Sequence, residues 1–271
     1  MREFAFPCLY AALSWWFTTG AILFLDGRDV RTFRWSMSAA SVVLVAALYE
    51  LRLSAADASP AGAYTAFSCA LLVWGWLEMA FLMGYVTGPR KSACASTCSG
   101  WPRFIHASQA VIYNELATVA AGGVVFSLSA GMPNRFALWT FLILWGMRIS
   151  AKLNLFLGVP NLGERFLPPH LQYLKSFFRR RAMNFLFPVS ITGATAVLAL
   201  LIERYASASS YFQGVAYALA TSLLGLAVLE HWFMVLPLPS EQLWAWAFRS
   251  DDTSPPPRTQ LSAGQTSRVL P

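Results

Sequence analysis

Seven apolar stretches, each close to the length needed to cross a bilayer, restrict this chain more than any other feature. A membrane-spanning helix takes about 20 mainly apolar residues to cross roughly 30 Å of hydrocarbon. The stretches run over residues 4–25, 36–53, 64–87, 104–128, 134–157, 185–202 and 212–236. Lipid offers no hydrogen bonds, so a spanning segment satisfies its backbone internally and folds as a helix. The expected fold is therefore all-α, a polytopic bundle of about seven transmembrane helices. Chain breakers fall between the stretches, at Asp26-Gly27, Ser59-Pro60, Gly88-Pro89, Gly131 to Asn134 and Pro237 to Pro239. Residues 1–248 read as one helical domain. Residues 249–271, with Pro255 to Pro257 among Ser, Thr and Gln, read as a disordered tail.

Composition agrees. The 271 residues are 56% hydrophobic and 12% charged, against about 25% charged in soluble proteins. A water-soluble enzyme, a wholly disordered chain and a disulfide scaffold are all poor readings. The net charge of +7 would suggest nucleic acid as the partner of a soluble protein, but membrane proteins keep Lys and Arg on the cytoplasmic side, so no nucleic acid is expected here. The first stretch is expected to be retained as a span, because Arg2 stands beside Glu3 and no small-x-small site precedes Arg28.

The basic residues fix an expected orientation. Alternate connections hold Arg28, Arg31, Arg34, Arg90, Lys91, Arg103, Arg165, Lys175, Arg179, Arg180 and Arg181, and the tail adds Arg249, Arg258 and Arg268. The opposite side holds only Arg2, Arg52, Arg135 and Arg204. This asymmetry predicts a periplasmic amino terminus and a cytoplasmic carboxyl terminus in a bacterial inner membrane. The longest connection contains a segment, 165–182, in which Leu171, Tyr173, Leu174, Phe177 and Phe178 stand beside Lys175, Arg179, Arg180 and Arg181. It reads as an interfacial helix with its basic residues toward anionic lipid headgroups, serving as a basic docking loop, or more plainly as an ordinary basic cytoplasmic loop that follows the charge rule.

An ionisable residue at mid-membrane costs about 2.5–3.5 kcal/mol on insertion scales, so it normally faces the bundle interior and has a partner. Glu78, Glu115, Arg148, Lys152, Glu230 and His231 all fall inside spans. They form a candidate buried polar cluster, either structural or ligand-binding. Arg148 and Lys152 are four residues apart on one helix face and could neutralise two of the three acids. No catalytic set accompanies them. Only His106, His170 and His231 are present, too few for a membrane di-iron oxygenase. The chain has no HExxH, GxSxG or phosphate-cradling glycine loop. Cys94 and Cys98 lie on a loop expected to be cytoplasmic and reduced, and a lone Cys-x-x-x-Cys gives no metal site by itself. His231 is a candidate axial ligand for a chlorophyll-type pigment, competing with the plainer role of a hydrogen-bonded core histidine.

Several stretches resemble the PuhE-type photosynthetic complex assembly proteins of purple phototrophic bacteria. They are Ser14-Trp15-Trp16-Phe17-Thr18-Thr19-Gly20-Ala21, Thr32-Phe33-Arg34-Trp35, the run from Leu144 through Arg148, Lys152, Asn154 and Pro160 to Leu162, and Leu229-Glu230-His231-Trp232-Phe233. The resemblance covers about residues 5–248. It implies a multi-pass inner-membrane factor that supports assembly of the reaction centre and light-harvesting apparatus and is linked to bacteriochlorophyll supply. The implied activity is binding, with no established catalysis. Its implied partners are reaction-centre or light-harvesting subunits or bacteriochlorophyll-synthesis enzymes, with bacteriochlorophyll as a transient ligand. The family commonly carries His before the acid of span four. Here that residue is Asn114, which moves attention to Glu230 and His231. The rival reading from another class is a proton-coupled or small-solute transporter using the buried acids, and a less favoured one is an enzyme of pigment metabolism.

Overall fold

The computed structural model describes residues 2–95, 98–238 and 240–248. The expected tail, 249–271, lies outside them. Among the described residues, seven helices are long and apolar enough to cross a membrane, and there is no strand. They are α1 (Arg2–Asp26), α2 (Val30–Ser54), α3 (Pro60–Leu82), α4 (Gly100–Ser129), α5 (Phe136–Leu157), α6 (Leu186–Ala206) and α7 (Tyr211–Phe233). At a rise of about 1.5 Å per residue, helices of this length cover the hydrocarbon core. The protein is thus built as a multi-pass membrane protein.

Local chemistry starts the helices where the sequence changes character. Asp29 accepts the N–H of Arg31 (2.8 Å) ahead of α2. Ser59 accepts the N–H of Gly62 (3.2 Å) with Pro60 at the first helical position of α3. Ser210 accepts the N–H of Gln213 (3.2 Å) at the start of α7.

α3 and α7 form the centre. α3 buries Ala63, Ala66, Phe67, Ala70, Val73 and Leu77, and α7 buries Ala216, Leu219, Ala220 and Leu223, in one core with Phe136, Ala137 and Phe141 of α5. The frequent alanines let backbones approach closely, which is how helices associate where lipid removes the ordinary hydrophobic drive. α6 lies at the outside. Its buried residues are only Phe187 and Ala194, while Val189, Val197, Leu200 and Ile202 are exposed, the surface a lipid-facing helix presents.

Two connections depart from expectation. The third span was expected to continue to residue 87, but α3 stops at Leu82, because Gly84 adopts a left-handed φ of 80°. The chain then folds back along α4: Arg90 N–H donates to Gln109 O (3.3 Å), and Asn114 N–H donates to Thr87 O (3.1 Å). Thr87 and Gly88 are buried where the fold-back meets α4, while Tyr85, Pro89 and Lys91 around them are exposed. The second departure is the 165–182 segment. It forms 3-10 turns over Glu164–Phe166 and Pro169–Phe177, and it turns Leu171, Leu174 and Phe177 onto Phe81 and Ala110 of the bundle. Its apolar side is therefore taken up by the protein itself, where an interfacial helix would offer it to lipid.

After α7 the chain returns across the same end. Residues Ser240–Ala247 form a further 3-10 segment whose Trp244 is buried against Leu23 and donates through its indole N–H to Trp16 O (3.1 Å).

Candidate ligand cavity

The helices enclose a cavity of about 550 Å³ on the side of the bundle where the basic connections lie, within the range of about 300–1,000 Å³ usual for small-molecule sites. Its wall is mostly apolar, with Trp15, Trp74, Phe81, Phe104, Phe156 and Phe166 supplying aromatic surface. Glu78, Arg148, Lys152, Glu230 and His231 also line it, so five of the six residues of the expected polar cluster face one space. The sixth, Glu115, is not part of the lining but reaches Lys152.

The charges are paired selectively. Arg148 Nη2 lies 2.6 Å from Glu78 Oε2, and Lys152 Nζ lies 2.6 Å from Glu115 Oε1. Lys152 also stands over the Phe81 ring at 5.5 Å. This leaves Glu230, which makes no hydrogen bond or ion pair among the described residues, although it faces the cavity. Arg148 Nε is likewise buried without a hydrogen-bond partner. Glu230 thus joins the hydroxyl-bearing Thr18, Thr19 and Ser108 on the wall, the sort of sparse polar groups that orient a ligand in an otherwise apolar site.

His231 is 3% exposed, and both ring nitrogens are engaged. Nδ1 donates to Ala227 O at 2.9 Å, and Nε2 lies 2.9 Å from the Ser150 hydroxyl. With Nδ1 carrying the proton, Nε2 accepts from Ser150. The ring is held as a core histidine is held. It can offer Nε2 to a pigment metal only if Ser150 turns away.

The basic loop borders the cavity through Leu174, Phe177 and Phe178. Arg180 Nη2 lies 2.8 Å and Lys175 Nζ 3.6 Å from the Glu164 carboxylate. The Arg180 hydrogen bond, followed by the charges of Arg180 and Lys175, holds the Glu164 carboxyl below its ordinary range. The aliphatic part of Arg181 packs over Gly158, and the Arg179 backbone exchanges hydrogen bonds with Leu155 and Val159. Arg180 and Arg181 keep exposed surfaces.

Some residues that matter were not singled out from the sequence. Arg103, counted there as a loop cation, is 4% exposed within α4. It donates to Phe156 O and to Phe177 O and stacks on the Phe156 ring at 4.3 Å. It thereby joins three elements at the cavity's end. Asn134 donates from one amide to Ser54 O (2.9 Å), Asp57 O (3.0 Å) and Gly62 O (3.0 Å), and its own oxygen accepts from Phe136 N–H (3.0 Å). Asn184 ties Asn154 and Gly158 to the start of α6 in the same manner. An Asn immediately ahead of an apolar stretch was the available signal for both. Asn114 is buried, and its carbonyl accepts from Thr118. Finally, Cys94 and Cys98, expected as reduced thiols, are joined in a disulfide.

Two comparisons with known proteins each cover most of the chain. A protein from Rhodobacter capsulatus, described as an uncharacterized 30.4 kDa protein in the puhA 5' region, is 43% identical over 242 residues, covering 87% of this chain and 88% of the relative. No solved structure matches. The model of the DUF3623 family, described as a protein of unknown function, matches residues 1–255, and the chain belongs to that family.

Proposed function

We propose that this protein is an inner-membrane assembly factor for the photosynthetic reaction centre and light-harvesting apparatus, acting by binding an amphipathic ligand of the bacteriochlorophyll class in its cavity and by docking partners at its basic end. The observation that carries the binding reading is the cavity itself, apolar over most of its wall, with Glu230 and the exposed part of the Arg148 side chain facing it. The photosynthetic context rests on the resemblance to PuhE-type assembly proteins and on the relative named for the puhA 5' region. An aromatic wall with a few polar groups fits the edge of a tetrapyrrole. A metal ligand is less ready, since His231 is committed to Ser150 and Ala227, so the ligand would be held mainly by the wall, Arg148 and Glu230. The basic end would face the cytoplasm, where pigment-synthesis enzymes and nascent subunits are met.

The test is an absorption spectrum of the protein purified in mild detergent from a phototrophic host, with co-purifying proteins identified in the same sample. The expected result is bound tetrapyrrole together with reaction-centre or light-harvesting subunits near stoichiometry. A colourless preparation that carries none of these subunits and takes up no added bacteriochlorophyll would overturn the reading. The unpaired Glu230 also suits a proton-coupled carrier. Proteoliposome flux that disappears in Glu230→Gln would favour that reading.

A further inference from the structure

The loop between α3 and α4 brings together three side chains of a kind that bind metal. The Sγ atoms of Cys94 and Cys98 and a ring nitrogen of His106 all lie within 4.8 Å of one another, and Cys98 Sγ is 3.5 Å from His106 Nδ1. The three are half-buried, accessible to a cation yet held in place. Cys94 N–H donates to Ser176 Oγ at 2.8 Å, which fixes the loop to the Pro169–Phe177 turn. Cys98 N–H donates to Ala95 O at 2.9 Å. His106 stands on α4 itself.

We propose that Cys94, Cys98 and His106, with the cysteines as thiols, bind a divalent transition cation of the zinc class, leaving a fourth coordination position open. A tetrahedral cation with bonds of about 2.0–2.3 Å sets its ligand atoms about 3.4–3.8 Å apart, the separation already found between Cys98 Sγ and His106 Nδ1. Two thiolates and an imidazole select a soft or borderline ion over magnesium or calcium, which favour oxygen ligands. The disulfide is the metal-free, oxidised state of the same site. Two molecules of a small cytoplasmic thiol supply the electron pair that splits it, leaving one small-molecule disulfide and two cysteine thiols. Binding the cation then releases the two thiol protons.

The position gives the site a structural consequence. Cys94 packs on the cluster of Phe81, Ala110, Leu171, Leu174 and Phe177, and Phe81, Leu174 and Phe177 also line the cavity. A cation held by the loop and by α4 would fasten the fold-back to the cavity's closing segment.

The experiment uses the full-length protein in detergent, reduced with a phosphine, freed of metal and titrated with cobalt(II). The phosphine gives its electron pair to the disulfide and takes its oxide oxygen from water. The expected result is one cobalt per chain with thiolate-to-cobalt charge-transfer absorption, displaced by zinc. Cys98→Ser should lose that absorption, and His106→Gln should keep a sulfur band but bind at least about tenfold more weakly. The unreduced wild-type protein is the comparison that needs no folded variant: it should show no charge-transfer band. Failure of the reduced chain to bind cobalt while both thiols react with a thiol reagent would overturn the proposal. Equal binding by the disulfide form, or by Cys98→Ser, would do the same.

Discussion

Arg148 and Glu78 meet at 2.6 Å on the cavity wall, joining α5 to the central helix α3, with 34% of the Arg148 side chain and 15% of the Glu78 side chain exposed. The exposed part of Arg148 faces the cavity, which places a structural ion pair and a ligand-facing donor on one guanidinium. Breaking the pair from either side strands a charge. Arg148→Met should lower stability by about 2 kcal/mol, less than the 3–5 kcal/mol of a fully buried pair because the cavity admits water to the guanidinium. The double change Arg148→Met with Glu78→Gln should recover part of that loss. Glu230→Gln, which removes a carboxylate outside these ion pairs, should cost clearly less than Arg148→Met. Thermal unfolding in detergent distinguishes the three, and equal losses for Glu230→Gln and Arg148→Met would contradict the pairing.

Asn134 holds the turns at the two ends of the α2–α3 connection with a single side chain. Asn134→Ala deletes both amide N–H donors, which are shared among three carbonyls, and one accepted bond in a buried setting, a loss of about 3 kcal/mol. Asn134→Asp should be nearly as damaging, since it keeps the acceptor for Phe136 but supplies no amide donors. The unfolding midpoint reports both.

Gly88 is the point where the fold-back touches α4. A Cβ there would lie 2.1 Å from Gln109 O and 2.6 Å from the Ala110 carbonyl carbon, both backbone atoms that cannot swing aside. Gly88→Ala should therefore destabilise by about 2–4 kcal/mol. Gly123→Ala, with nothing within 4 Å of the added carbon, should be neutral or stabilising by up to about 1 kcal/mol through helix propensity. A pair of similar midpoints would show that the fold-back does not press on α4.

The clasp of Glu164 with Arg180 and Lys175 should be pH-dependent in one direction. Because the folded carboxyl titrates below its ordinary value of 4.5, its contribution is complete above that value and is lost as pH falls through the lower folded one. Amide-exchange protection of residues 164–181, corrected for intrinsic rates, should hold from neutral pH through the ordinary carboxyl range and fall only at more acidic pH. Glu164→Gln should remove the dependence. A change confined to pH 6–8 would point to a different group.

The sequence by itself determined the class of fold and the number of spans, because hydropathy over about 20 residues is a local property and lipid leaves helices as the available answer. It also determined that charges lie inside the spans. The tertiary structure decided what those charges meet: Glu78 and Arg148 are 70 positions apart, and only the packing of α3 on α5 brings them to ion-pair distance while Glu230 stays outside the ion pairs. Likewise Arg103 reads as one more basic loop residue until Phe156 and Phe177 converge on it, and Cys94 with Cys98 is a weak spacing until α4 adds His106. Ends and pairings of this sort depend on where one backbone approaches another, as Gly88 against Gln109 shows. Contacts across such distances leave no periodic trace in the chain.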